Sequence, residues 1–164
     1  MARIAVSGSS LGGYYAARAA CFEHRLAAAV SHGAIWNVRE NWARVTDDHM
    51  QAEQIRWVFG ARSMAEALDT ARDFNLEGIL GNMRCPYLIV HGGYDVLGVE
   101  RANQVYAAAH AAGVDVSLRF VSADETGADH CQHDNPGMGQ QLVGDWLADR
   151  FGIDQRALHT SRLP

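Results

Sequence analysis

Three residues far apart in this chain, Ser10, Asp95 and His130, are of the types that together make a nucleophilic hydrolytic site. A serine hydroxyl is a weak nucleophile at neutral pH and needs a base within hydrogen-bond reach. The base in turn needs an acid that fixes its tautomer and stabilises the imidazolium. Ser10 stands in Gly8-Ser9-Ser10-Leu11-Gly12, behind the apolar run Ile4-Ala5-Val6 and ahead of a helical pattern from Leu11 through Tyr14, Ala17 and Ala20. Strand, tight turn and helix are the context of a nucleophile elbow. On this reading the turn is too tight for side chains at both flanking positions, Gly8 and Gly12, and Ser10 projects from its top. The pattern also occurs in plain Gly/Ser-rich loops, so its weight depends on what lies downstream.

Each downstream residue has a second reading. Asp95, two residues beyond Gly93, fits an acid at a strand end, but an Asp there also caps a following helix. His130 closes the polar loop Asp124-Glu125-Thr126-Gly127-Ala128-Asp129-His130 and is the expected base; His133, three residues on, is its rival and otherwise a pocket residue. The cluster Asp129-His130-Cys131-Gln132-His133-Asp134 resembles a ligand set, yet no second ligand pair at recognisable spacing accompanies it, and no metal is expected. His91-Gly92-Gly93 follows the serine in the chain, which suits a strand end holding Asp95 better than an oxyanion loop.

The elements that must carry these residues read as alternating strands and helices. After the elbow helix, expected to end near Glu23-His24-Arg25, the run Leu26 to Gly33 suits a buried strand. Residues 37–80 are polar and helix-rich, with Ser63-Met64-Ala65-Glu66 as a capping box; they read as a helical insertion. Among its tryptophans, Trp36, close to a strand end, is the one expected to line a pocket. Pro86 to Gly93 is the clearest strand, a continuous apolar run suited to burial on both faces. A helix follows from about Val99 to Ala112, then a strand at Val116, Leu118 and Phe120, then a helix from Pro136 to Phe151 stopped by Gly152. This alternation predicts an α/β fold with an open, mostly parallel sheet, in which functional groups gather beyond the carboxyl ends of the strands. Ser10, Asp95 and His130 each stand just past a predicted strand.

At 164 residues the chain has the length of one ordinary domain, and 48% hydrophobic with 20% charged residues is a globular composition. A formal charge of −5 offers no basic patch, so nucleic acid is not an expected partner. No apolar run is long enough to span a bilayer, and no signal-peptide pattern opens the sequence, so a cytoplasmic protein with a small-molecule substrate and no membrane partner is expected. Cys21, Cys85 and Cys131 are too few and too scattered for a disulfide framework.

The order Ser, Asp, His is that of the α/β-hydrolases. The segments Arg3 to Gly13, Cys85 to Asp95 and especially Ala128-Asp129-His130-Cys131-Gln132-His133-Asp134-Asn135 resemble the α/β-hydrolases grouped with 2,6-dihydroxypseudooxynicotine hydrolase. The fermentation-respiration switch esterases and fungal polyketide-shortening hydrolases look like relatives of the same group. The resemblance implies Ser10 as nucleophile, Asp95 as orienting acid and His130 as base. It implies hydrolysis of a small ester or of a carbon-carbon bond next to a ketone, without a cofactor, under a helical cap formed by the insertion. It covers nearly all of this chain, residues 1–164, but only the C-terminal portion of the family's domain, a partial α/β-hydrolase fold. The expectation is therefore a fragment, a truncated product or a start placed too late. The backbone N–H of Leu11 would supply one oxyanion donor, and the family's second donor comes from a loop with no counterpart here. The strand at residues 3–7 would present an open edge, covered by a missing N-terminal half or, less favoured, by a homodimer partner. The alternative function is an inactive fragment that associates through that edge.

Overall fold

Short apolar runs that alternate with amphipathic helical segments can bury both if the runs pair in parallel and the helices cover the faces. The computed structural model, which describes residues 3–160, has this architecture. Four strands, β1 (Ala5–Ser9), β2 (Ala28–His32), β3 (Tyr87–Gly92) and β4 (Val116–Val121), form one parallel sheet in the order β1-β2-β3-β4. The helices are α1 (Leu11–Ala20), α2 (Val38–Trp42), α3 (Ala52–Phe59), α4 (Met64–Thr70), α5 (Val99–Ala111), α6 (Pro136–Phe151) and α7 (Gln155–Thr160).

Side-chain alternation divides the sheet between two cores. On one face, Tyr14, Ala17 and Ala20 of α1 and Ala102, Val105 and Ala109 of α5 join Ala29, Tyr87 and Ile89 in the main core. On the other, Val30, Leu88 and Val90 meet Leu142, Val143, Trp146 and Leu147 of α6. β3 is buried along its whole length, as its unbroken apolar sequence requires. Among the described residues β1 has a neighbour on one side only, and Ile4 just before it is 53% exposed.

The insertion is helical and has its own small core of Ala52, Ile55, Met64 and Ala67, with Trp42 and Phe59 packed against it. Its base is pinched where Asn37 bridges Asn75, with Val38 N–H donating to the Phe74 carbonyl at 2.9 Å and Leu76 N–H to the Trp36 carbonyl at 3.0 Å. A run of aromatic contacts, Trp42 to Phe59, Phe59 to Phe74 and Phe74 to Tyr14, joins it to α1. The Ser63 hydroxyl accepts the Glu66 N–H at 3.2 Å, but the Glu66 carboxylate turns back to the Arg62 N–H, so the capping box closes one residue early.

Two expectations change. The elbow helix ends at Ala20, because Glu23 folds back onto the Arg25 N–H at 2.9 Å and a turn replaces another helical step. Helix α7 was not anticipated. The Asp154 carboxylate caps it by accepting the N–H groups of Arg156 and Ala157, but Gln155–Thr160 has no apolar stripe to announce it.

The glycines at the elbow are unequal. A methyl group on Gly8 would lie 2.0 Å from the Gly12 carbonyl oxygen and one on Gly13 2.5 Å from that of Gly33, whereas Gly12 has nothing within 4 Å. The tight approach therefore rests on Gly8 and Gly13, and Gly12 is a helical position open to a side chain. Gly12→Ala is expected to stabilise the fold by about 0.5–1 kcal/mol. Gly8→Ala is expected to destabilise it by at least about 2 kcal/mol, since backbone must move to admit the methyl. Urea unfolding of the two variants beside the parent checks both signs.

Candidate active site

Parallel strands that end in tight turns deliver their next residues to one edge of the sheet. At the end of β1, Ser10 is held at φ 57° and ψ −121°, a sparsely populated conformation for a non-glycine residue. Such a residue costs on the order of 1–3 kcal/mol and persists only where its surroundings over-determine it. They do so here. The Ser10 N–H donates to the His32 carbonyl at the end of β2 at 2.7 Å, and the Ser10 carbonyl accepts the Gly13 N–H at 2.9 Å. Beneath the turn, the buried Ser31 hydroxyl donates to the Gly13 carbonyl at 2.7 Å and lies 2.8 Å from the Tyr87 hydroxyl. Ser31 has one proton, committed to Gly13, so Tyr87 is the donor to Ser31.

Asp95 follows β3 and is 6% exposed. Its Oδ1 accepts the Leu97 N–H at 2.9 Å and the His130 Nδ1–H at 2.7 Å. Both readings of Asp95 are thus realised in one atom, the turn cap and the partner of histidine. Burial by itself would raise the Asp95 pKa, but the hydrogen bonds from His130 and Leu97 outweigh it and bring it below the ordinary carboxylate value. The same contact, followed by that with Cys131, raises His130 from 6.5 to about 10.

His130 is delivered by a loop with its own internal staple. The Asp134 carboxylate accepts the N–H groups of Gly127 at 2.5 Å, Ala128 at 3.2 Å and Asp129 at 3.1 Å. Cys131 and Gln132 are both left-handed, at φ 53° and 55°. The loop can lie against β3 because Gly92 has no side chain: a methyl there would sit 2.0 Å from the Ala128 carbonyl oxygen. Cys131 Sγ lies 3.6 Å from His130 Nε2 and 3.4 Å from the His32 carbonyl oxygen, the same oxygen that accepts the Ser10 N–H. Gly33, at φ 74°, borders the pair: a methyl on it would be 3.4 Å from His130 Cε1 and 3.5 Å from Asp95 Oδ2.

A pocket of about 120 Å³ opens at Ser10 and Leu11, closed on the insertion side by Trp42 of α2 and by Gln51, Gln54, Ile55 and Val58. Trp36 does not line it. The Asn37–Asn75 bridge turns that part of the chain toward α5, where Trp36 borders a separate hollow with Leu76, Leu80 and Ala108. Trp42, one short helix later, takes the expected place. The His133 ring is exposed and lies 6.2 Å from that of His130, while the hydrogen bond to Asp95 belongs to His130. Asp134, Gly33 and Gln54 escaped sequence reasoning. In the sequence Asp134 stands out only as part of the 128–135 segment, and Gly33 only as the end of the second strand's apolar run. Among the described residues no group of three or more His, Cys, Asp or Glu side chains is arranged around a metal position, and no helix is long and apolar enough to cross a membrane.

A parallel sheet with a strained serine turn after one strand, an acid after a later strand and a histidine loop after the next is the arrangement of the α/β-hydrolase fold, and the chain has part of that fold. It is 30% identical over 148 residues to 2,6-dihydropseudooxynicotine hydrolase of Paenarthrobacter nicotinovorans, which covers 89% of this chain and 38% of that protein. The crystal structure of 2,6-dihydroxy-pseudo-oxynicotine hydrolase matches with a TM-score of 0.69 at 27% identity, over 87% of this chain and 38% of that one. Puromycin hydrolase (TM-score 0.69, 21% identity, 92% of this chain and 22% of that one) and an esterase of Pyrococcus furiosus (0.61, 19%, 90% and 53%) share the fold. No protein-family model matches the chain. The chain thus spans 38% of the length of the curated relative it matches.

The opposed shifts of Asp95 and His130 make their pair a pH-dependent contribution to stability. The raised His130 contributes fully below its unfolded value, about 6.5, and loses that contribution as pH rises toward its folded value. The lowered Asp95 contributes fully above its unfolded value, about 3.9, and loses it as pH falls through the folded one. Asp95→Asn should therefore destabilise most between about pH 4 and pH 6.5 and progressively less above that, as read by urea unfolding across pH. Ser10→Gly, which relieves the strained φ, should raise stability by about 1 kcal/mol in the same assay.

Proposed function

We propose that this chain carries the catalytic half of a serine hydrolase that cleaves a small, uncharged ester or a ketone-activated carbon-carbon bond. The observation that carries this reading is the 2.7 Å hydrogen bond from His130 Nδ1 to the buried Asp95, made at the sheet edge where Ser10 stands on its strained turn. With Nδ1 engaged by Asp95, His130 Nε2, which has Cys131 Sγ beside it at 3.6 Å, is in this reading the nitrogen that moves protons. It accepts the Ser10 proton as Oγ attacks the substrate carbonyl, and passes that proton to the leaving alkoxide or enolate as the acyl bond breaks. Water, deprotonated by the same nitrogen, then releases the acid and restores Ser10. In this reading the Leu11 N–H is one donor to the oxyanion. Gln51 and Gln54 line the same pocket, and in this reading a side-chain amide of one of them supplies the second.

The pocket limits the substrate. About 120 Å³ is well below the roughly 300–1,000 Å³ of sites for drug-sized ligands, and its lining holds no charged side chain. A short acyl group resting on Trp42, Ile55 and Val58 fits that shape. The sequence similarity is to a protein named a hydrolase of 2,6-dihydropseudooxynicotine, and it is the resemblance of the site motifs to that group that keeps the carbon-carbon alternative beside the ester one.

A fluorophosphonate probe is expected to label Ser10, located by mass spectrometry, with labelling lost in Ser10→Ala and reduced at least a hundredfold in His130→Ala. A folded chain that stays unlabelled would overturn the proposal. Acetyl and butyryl esters should be cleaved in preference to octanoyl or longer ones, and a small 1,3-diketone assayed beside them decides between the two bond types. Because His130 must be neutral to act and is held well above 6.5, activity should rise with pH through the alkaline range rather than level off near neutrality.

A further inference from the structure

His91 lies at the penultimate position of β3, fully buried; neither ring nitrogen meets hydrogen-bond geometry, and the Gly98 backbone is a polar neighbour that favours its charged form. A buried polar group without a partner calls for a physical reason. The other unpartnered atom in the neighbourhood is Asp95 Oδ2: Oδ1 takes both hydrogen bonds, from Leu97 and His130, and Oδ2 takes none. His91 Nδ1 and Asp95 Oδ2 face each other at 3.8 Å, with both side chains at 0% exposure. At that separation the contact is electrostatic rather than a hydrogen bond, but in a low-dielectric interior an N–H dipole aimed at a carboxylate is strongly favourable.

We infer that His91 is a positioning residue, a second histidine that holds the open oxygen of Asp95 through an Nδ1–H tautomer, so that Oδ1 stays directed at His130. The inference rests on the proposed roles of Asp95 and His130 and extends them to a residue on the far side of the acid. Two histidines share one carboxylate and differ in their surroundings. His130 is partly open to solvent, with its side chain 25% exposed, and gains a proton readily. His91 is sealed in the sheet, where burial pushes its pKa down and the like charge of a protonated His130 adds to that effect. Asp95 and Glu100 oppose it, as does the Gly98 backbone, but the net direction is downward, so His91 stays neutral and acts only as a dipole. Without that dipole, Oδ2 would be buried with no polar partner. The carboxylate would then be easier to protonate and free to rotate, and His130 would lose both its orientation and its raised basicity.

Histidine-selective nitrogen NMR on the unmodified protein, run beside probe labelling, tests this. His91 is expected as a neutral Nδ1–H tautomer from about pH 6.5 to about pH 8. An Nε2–H tautomer, or a ring that titrates in this range, would overturn the inference with no variant needed. His91→Leu should lower the His130 titration midpoint by at least about half a unit, and the limiting rate of probe labelling at Ser10 by about tenfold. His91→Asn, which keeps an amide N–H near the place of Nδ1, should recover most of both. A folded His91→Leu with an unchanged His130 midpoint and labelling rate means His91 merely fills space. If the parent never labels at Ser10, the proposed function fails, while the tautomer and the His130 midpoint still decide whether His91 holds Asp95.

Discussion

A carboxylate buried at the end of a parallel strand is the constraint on which the rest of this structure depends. Removing the charge of Asp95 from water carries a penalty that only hydrogen bonds and close polar contacts offset, and an unpaired partner would leave that penalty standing. The chain meets it from three directions. The turn after β3 supplies the Leu97 N–H, the loop after β4 supplies His130, and β3 itself supplies His91. Each requires its own local device. The His130 loop needs the Asp134 staple and two left-handed residues to reach back, and Gly92 must lack a side chain for the loop to come close. The chemistry of the site and the stability of this edge of the sheet are thus the same set of contacts.

The Ser10 turn is joined to the Asp95–His130 pair through one backbone atom. The His32 carbonyl receives the Ser10 N–H and lies within reach of the Cys131 thiol, so the ends of β1 and β2 and the histidine loop share a fixed point. Under it, the Tyr87–Ser31–Gly13 relay crosses from β3 through β2 to α1 and stiffens the floor on which the strained turn stands. Strain of this kind survives only on rigid support, and here the support is the fully buried centre of the sheet. The helical insertion sits on the same footing, through aromatic contacts with Tyr14, which places Trp42 and Gln54 above Ser10.

Much of this was legible in the sequence, for identifiable reasons. The apolar run at Tyr87–Gly92 can be little other than a strand buried on both faces, and Gly113 and Gly152 stop α5 and α6 in left-handed conformations that favour glycine. Strand-end placement brought Asp95 and His130 together because a parallel sheet leaves no other edge for them. The misses have one cause as well. Trp36 and Trp42 are indistinguishable by composition, and the bridge between Asn37 and Asn75 that separates them is a contact between residues far apart in the chain. Gly12 matches the serine motif as well as Gly8 does, and only the path of the helix shows which one is crowded.

The sequence by itself determined the alternation of elements, the hydrophobic faces and the residue types at the strand ends, because periodicity, turn chemistry and burial act over a few residues at a time. Tertiary structure decided which histidine meets Asp95, which tryptophan faces Ser10, and that His91 stands behind the acid. Those choices depend on distances of a few ångströms between atoms on different strands, set by sheet register and by glycine contacts for which local sequence carries no signal.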